Sequence, residues 1–265
     1  MYKTYILIDS VLLGESEHKP WITNGRHPVW IAPIYGRREI EVSPIVVDVE
    51  MAIQYSKMAW VMEMVNSSRP QLGISFIDTD ITFKKIIEHF RKFIYARTND
   101  DVELTLRFAD CAVLPVFFSV FTPLQWTALT KPFKRWMIHD RDGKLFQLPC
   151  SARNEISDLP LILDKNQLAE LKKSTAADQL LFDLKRHRPA SDGTYTSSKA
   201  HEYAQGCLRV WNSTKYRDGA DLLFFASSVF DTQGKLLQVP ELPVLLTRFS
   251  AEKFDDSLRS IVENL

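Results

Sequence analysis

Cysteine, glycine and surplus charge are all scarce in this 265-residue chain, and each shortage excludes something. The three cysteines, Cys111, Cys150 and Cys207, are odd in number and far apart, so neither a disulfide framework nor a Cys-x-x-Cys metal knuckle can be built from them. With 9 Gly and 13 Pro the chain is neither collagen-like nor of low complexity. Lys+Arg and Asp+Glu each total 33. Neither half has the basic excess of a phosphate-backbone binder, so no nucleic-acid partner is expected. Long hydrophobic runs are missing too. The best candidates, residues 112–121 and 222–230, are too short to cross a bilayer as helices, so no membrane partner is expected. The opening apolar stretch meets Asp9 where a signal peptide would continue. The composition therefore points to a cytoplasmic, soluble chain of one large or two modest domains. A net charge of zero gives little colloidal repulsion, which suits a protein held by partners.

Catalytic motifs are also wanting. The six histidines do not fall at ligand spacing, and His201-Glu202 is followed by Gln205 instead of a second zinc-binding His. There is no P-loop, no Gly-x-Gly-x-x-Gly and no Gly-x-Ser-x-Gly elbow. Asp140-Arg141-Asp142-Gly143 lacks the Glu a calcium loop needs at its twelfth position, where Ser151 stands, and reads as a turn. Trp126, Trp136, Phe117, Phe118 and Phe121 read as core, since no basic stripe accompanies them. No catalytic residue, metal site or cofactor is expected.

What is present is patterning. Tyr5-Ile6-Leu7-Ile8, residues 29–35, 45–49 and 73–77 are short apolar, β-branched and aromatic runs that read as strands. Residues 54–65 read as a helix apolar nearly all round. Residues 81–95 form an amphipathic helix, with Phe83, Ile86, Ile87, Phe90, Phe93 and Ile94 on one face. Residues 102–108 alternate as a half-buried strand after a polar turn at 98–101. Thr122-Pro123-Leu124-Gln125 predicts a capped helix start. Residues 136–138 and 144–148 predict a β-hairpin. Polar residues 149–160 then mark a lobe boundary. Beyond it, helices are expected from Asp164 to about residue 188 and over 199–211, 220–229 and 251–263.

One short motif argues for chemistry. Ile74-Ser75-Phe76-Ile77-Asp78-Thr79-Asp80-Ile81-Thr82 resembles the first motif of haloacid-dehalogenase-type phosphatases, which implies nucleophilic and acid/base roles for Asp78 and Asp80. The later parts of such a site are missing, since Asp255-Asp256 lies in a helical pattern. The plainer reading has Asp78 or Asp80 capping the helix that begins near Ile81.

The order of motifs is similar to the type VI secretion effector-chaperone, or adaptor, family, whose members accompany VgrG spike proteins. Three stretches carry the resemblance. They are Tyr5-Ile6-Leu7-Ile8-Asp9, the helix Ile86-Ile87-Glu88-His89-Phe90-Arg91-Lys92-Phe93-Ile94, and Leu106-Arg107-Phe108-Ala109-Asp110 with Val113-Leu114. The last is followed by Thr122-Pro123-Leu124-Gln125, Pro132 and Trp136, and Asn166-Gln167-Leu168-Ala169-Glu170-Leu171 resembles the start of the family's helical lobe. The chain departs from the pattern at Cys111, usually Pro, at Lys131, usually Gly, and at Pro115 within the first helix. The resemblance implies no catalytic residue. Arg91, Arg107, Phe108, Asp110 and Trp136 are its motif residues, expected to hold the fold, with Asp110 placed to cap the next helix.

These readings give an α+β / α/β protein of two lobes. Residues 1–150 form an α/β lobe with a mixed sheet, and residues 158–265 a mainly helical lobe. The implied function is a cytoplasmic adaptor that binds the N-terminal region of a toxin effector and helps load it onto the VgrG spike, without catalysis. The alternatives are a phosphatase using Asp78 and Asp80, or a generic protein-interaction module.

Overall fold

The computed structural model describes residues 2–12, 27–67, 71–150, 161–187, 196–214, 219–240, 242–248 and 254–263. The expected boundary segment lies outside these from residue 151 to 160, as do residues 251–253 of the last expected helix. The chain divides into two compact units, Met1–Leu171 and Lys172–Leu265.

The first unit is built on β1 (Lys3–Ile8), β2 (Ile31–Pro33), β3 (Ile45–Asp48), β4 (Ile74–Thr79), β7 (Phe133–His139) and β8 (Leu145–Leu148). They form one six-stranded sheet in the order β2-β3-β1-β4-β7-β8. Every neighbouring pair in it is antiparallel. Mixed pairing is confined to a small second sheet of β5 (Tyr95–Thr98), β6 (Glu103–Thr105) and β9 (Ile162–Leu163), where β5 runs antiparallel to β6 and parallel to β9. β9 therefore sits on the N-terminal side of the division between units, held there by Arg97 and Thr98.

Apolar residues on alternate positions of β1 send Tyr5 and Leu7 into one cluster and Ile6 and Ile8 into another, so both faces of this central strand are covered. On one face lie α1 (Val49–Gln54) and α2 (Met58–Ser67), whose Ala52, Val61, Met64 and Val65 pack with Ile6 and Ile8. The single helix expected over 54–65 is in fact these two. Ser56 takes a left-handed φ of 57° between them, and Met62 is exposed where an all-round buried helix was expected.

On the other face lies α3 (Phe83–Arg91), which buries Ile86, Ile87 and Phe90 as its periodicity predicts. It ends earlier than residue 95, because the Lys92 and Phe93 amides make tight turns to His89 and Phe90 carbonyls and Tyr95 is drawn into pairing with Thr105. Thr82 caps it, its hydroxyl accepting from the Lys85 amide at 3.4 Å, so neither Asp78 nor Asp80 is the cap. The strand expected over 102–108 is regular only at β6, but Leu104, Leu106 and Phe108 still turn inward.

α4 (Leu114–Val120) and α5 (Pro123–Thr130) follow. At α5 the expected capping box is present, the Thr122 hydroxyl accepting from the Gln125 amide at 3.2 Å and Gln125 Oε1 from the Thr122 amide at 2.8 Å. The β7–β8 hairpin turns at Asp142-Gly143, where Gly143 takes a φ of 78° that side chains with a Cβ disfavour. Trp126, Trp136, Phe117 and Phe121 are buried as expected, but Phe118 is 46% exposed, its ring edge-on to Trp126.

α6 (Lys165–His187) begins in the first unit and continues into the second. Its start is a second capping box, with Asp164 accepting from the Gln167 amide at 2.8 Å and Gln167 accepting from the Asp164 amide at 3.1 Å. The second unit also contains α7 (Ser197–Ser213), α8 (Gly219–Asp231), α9 (Leu242–Arg248) and α10 (Phe254–Val262). Its core gathers Leu180 and Leu184 with Cys207, Trp211, Phe225, Val229 and Leu246. α9 was not expected, because Pro240 and Pro243 read as interruptions. Pro243 stands at the start of the helix, where a missing N–H costs nothing.

Candidate functional site

The residues that carry the family resemblance fall into three places. Phe108 and Trp136 are core, and both pack on Phe90. The Phe90 and Phe108 rings stack at 5.0 Å, the Trp136 ring meets Phe90 edge-on at 6.0 Å, and the Trp136 indole donates to the Ser75 hydroxyl at 3.0 Å. Arg91 reaches back across the sheet face, its Nε donating to the Ile34 carbonyl at 3.0 Å. Arg107 and Asp110 meet each other.

Arg107 is the hub of an ion triad. Its Nη2 donates to Asp9 Oδ2 at 2.9 Å and lies 3.3 Å from Asp110 Oδ2. Asp9 directly follows β1, and its carboxylate is 5% exposed; its other oxygen accepts from the Val11 amide at 3.0 Å. Asp110 accepts from the Ala112 amide at 2.9 Å, so it shapes the turn before α4 instead of capping the helix, whose own cap position is Val113. Burial works against the Arg107 charge, but Asp9 and Asp110 more than offset it and the guanidinium pKa is raised. Tyr35 belongs to the same neighbourhood. Burial, with Asp9 as the next cause, pushes its hydroxyl up to about 12. The segment under it is fixed by Ser43, whose hydroxyl accepts from the Ile34 and Tyr35 amides at 3.0 and 2.9 Å.

The Arg107 side chain is still 46% exposed. Segments tied to the triad carry apolar side chains that the fold leaves in solvent. Val11 and Leu12 stand on the turn that Asp9 begins, and Leu12 is seated over Gly73, where a Cβ would come within 2.9 Å of it. Val42 follows Glu41, whose carbonyl accepts from the Ser10 hydroxyl at 3.4 Å. Tyr95, also exposed, is close enough to Tyr35 to affect its titration. Asp9, Tyr35 and Tyr95 were not singled out by sequence reasoning as site residues. The one available signal was an acid at the end of an otherwise apolar strand.

The arrangement is suited to contact. A fixed charge network holds a half-exposed guanidinium, and segments tied to that network carry exposed apolar side chains. The nearest thiol, Cys111, is pushed up to about 12 by burial and donates to the Ile74 carbonyl at 3.2 Å, so it is no nucleophile near neutral pH. Asp78 and Asp80 are elsewhere and already engaged. Asp78 accepts from the Thr4 hydroxyl at 2.8 Å and from Arg135 Nε at 2.7 Å, and Asp80 lies 3.5 Å from Lys134. β4, which carries Asp78, is antiparallel to both neighbours, so it does not open onto a parallel-sheet crevice. Among the described residues no three His, Cys, Asp or Glu side chains converge as a metal site, and no helix is long and apolar enough to cross a membrane.

Residues 4–128 match the model of a family described as a domain of unknown function (DUF4123). The matched stretch contains Asp9, Arg91, Arg107, Phe108 and Asp110, and stops before Trp136. No curated protein and no solved structure matches the chain.

Proposed function

We propose that this chain is a cytoplasmic adaptor of type VI secretion, which binds the N-terminal region of a toxin effector and helps seat it on the VgrG spike, with no chemistry of its own. The observation that carries the reading is the family match over residues 4–128, a family known in the context of type VI effector loading. The matched stretch includes the Arg107 triad and the exposed Val11, Leu12, Val42 and Tyr95.

In this reading the triad is a scaffold. A buried Asp9 and a turn-forming Asp110 keep the Arg107 guanidinium in place, so little side-chain entropy is lost when a partner covers it. The apolar neighbours supply the area, and Arg and Tyr are the residue types that most often anchor interfaces. Cargo held this way is shielded until handover to the spike.

The test is genetic. Deleting the gene is expected to lower the cellular level or export of one neighbouring toxin while general type VI secretion continues. Unchanged export of every toxin in the deletion strain contradicts the adaptor reading.

A further inference from the structure

The second unit contains a groove of about 390 Å³ between α7 and the turn over residues 232–238, which lies outside the family match. That size falls within the range of specific ligand sites. Its wall is a stripe along α7. Lys199, Glu202, Gly206 and Arg209 follow one another at spacings of three, four and three, so they share one helix face.

Two close approaches shape the floor. A Cβ on Gly206 would come within 2.5 Å of Leu237 Cδ1, and one on Gly234, whose φ is 81°, within 2.4 Å of the Tyr203 ring. A mid-helix glycine weakens a helix relative to alanine, and here it lets the turn approach the helix. The Tyr203 hydroxyl donates to the Gln233 carbonyl at 2.6 Å and locks the turn against α7.

Several of the groove's polar groups have unused bonding capacity. Lys199 pairs with Glu202 at 2.9 Å, but Arg209 has no carboxylate partner among the described residues. The side-chain amides of Gln233 and Gln238 also carry no hydrogen bond among the described residues, and both line the groove. Lys199 and Arg209 are ten positions apart on one helix, about 15 Å at 1.5 Å per residue. One carboxylate cannot reach both. An extended peptide covers that distance in about four or five residues.

We propose that this groove binds an extended acidic segment of a partner protein. One carboxylate takes the guanidinium of Arg209, another, about four residues along, shares the Lys199 ammonium with Glu202, and the glutamine amides bond the peptide backbone between them. The proposal goes beyond the adaptor reading and does not depend on it.

Full-length protein titrated with a fluorescein-labelled, C-terminally amidated peptide tests this. The peptide carries two glutamates about four residues apart in a Gly/Ser background. The glutamate peptide is expected to bind, its glutamine twin not, and added salt to weaken the complex. Arg209→Gln, an exposed change that leaves the core alone, is expected to cost at least about tenfold in affinity. In amide NMR spectra Gly206 and Gly234 should move on binding. Failure of the glutamate peptide to bind, equal binding of the twin, unchanged affinity in Arg209→Gln, or shifts confined to other residues would each overturn the proposal.

Discussion

Arg107 donates to Asp9 at 2.9 Å across 98 positions of sequence, joining the end of the first strand to the turn that precedes α4. This contact ties the central strand of the main sheet to the Leu106–Asp110 stretch. Arg107→Ala leaves a carboxylate that is 5% exposed without its cation. Because the arginine itself is half in solvent, the expected loss is about 1–3 kcal/mol in urea unfolding, below that of a fully buried pair. Arg107→Lys should recover part of it, since a lysine keeps the charge but loses the planar fork. Unfolding curves of Arg107→Ala that overlay the wild type would show that the triad does not hold the fold.

Two capping boxes are joined at Gln125 and Gln167. Gln167 Nε2 donates to Gln125 Oε1 at 2.7 Å and to the Val120 carbonyl at 3.0 Å, while Gln125 Nε2 donates to the Ile162 carbonyl at 2.7 Å. Gln167→Ala removes all of its bonds at once and should lower stability by about 1–3 kcal/mol, whereas Thr122→Ala, which touches one box, should cost about 0.5–2 kcal/mol. If Gln167→Ala costs no more than an exposed substitution on α6, the link between the boxes carries no stability.

Alkaline pH should unfold the protein through its buried thiols. Burial pushes Cys111 and Cys207 up to about 12, well above an unfolded thiol. A group whose folded pKa is raised gives stability that is complete below its unfolded pKa and is lost as pH rises through the folded one. Stability is therefore expected to be level near neutrality and to fall from about pH 9 towards pH 12. Cys111→Ala should flatten that fall while lowering stability at neutral pH. A pH profile of the variant parallel to that of the wild type would contradict the assignment.

Asp78 is expected to act through Thr4 and Arg135 alone. Purified protein should show no Mg²⁺-dependent phosphatase turnover, and Asp78→Asn should leave export of the toxin unchanged while lowering the thermal midpoint modestly. Phosphatase activity lost in Asp78→Asn would restore the catalytic reading.

The elements that were legible in the sequence are those with a local cause. α3 shows its apolar face in the spacing of Ile86, Ile87 and Phe90, α5 its capping box, and the β7–β8 hairpin its Asp142-Gly143 turn. What was hidden depends on distant partners. β5 starts on the last residue of the expected helix and ends on the first of the expected turn, and is a strand because Tyr95, Ala96 and Arg97 find Thr105, Leu104 and Glu103. The antiparallel order of the main sheet follows from which strands meet, which alternation cannot encode. The same holds for the candidate site. Arg107 and Asp110 are visible as a motif three residues apart, but Asp9 and Tyr35 join them only through folding.

The most direct test of the adaptor account is affinity purification of the tagged full-length chain from its native cell, with the bound proteins identified by mass spectrometry. The account predicts recovery of one neighbouring toxin through its N-terminal segment, together with or separately from the C-terminal part of a VgrG. It also predicts that recovery of at least one of them weakens when the exposed Leu12 and Tyr95 are changed to Asp and Ser. A folded chain that recovers neither toxin nor spike would contradict it.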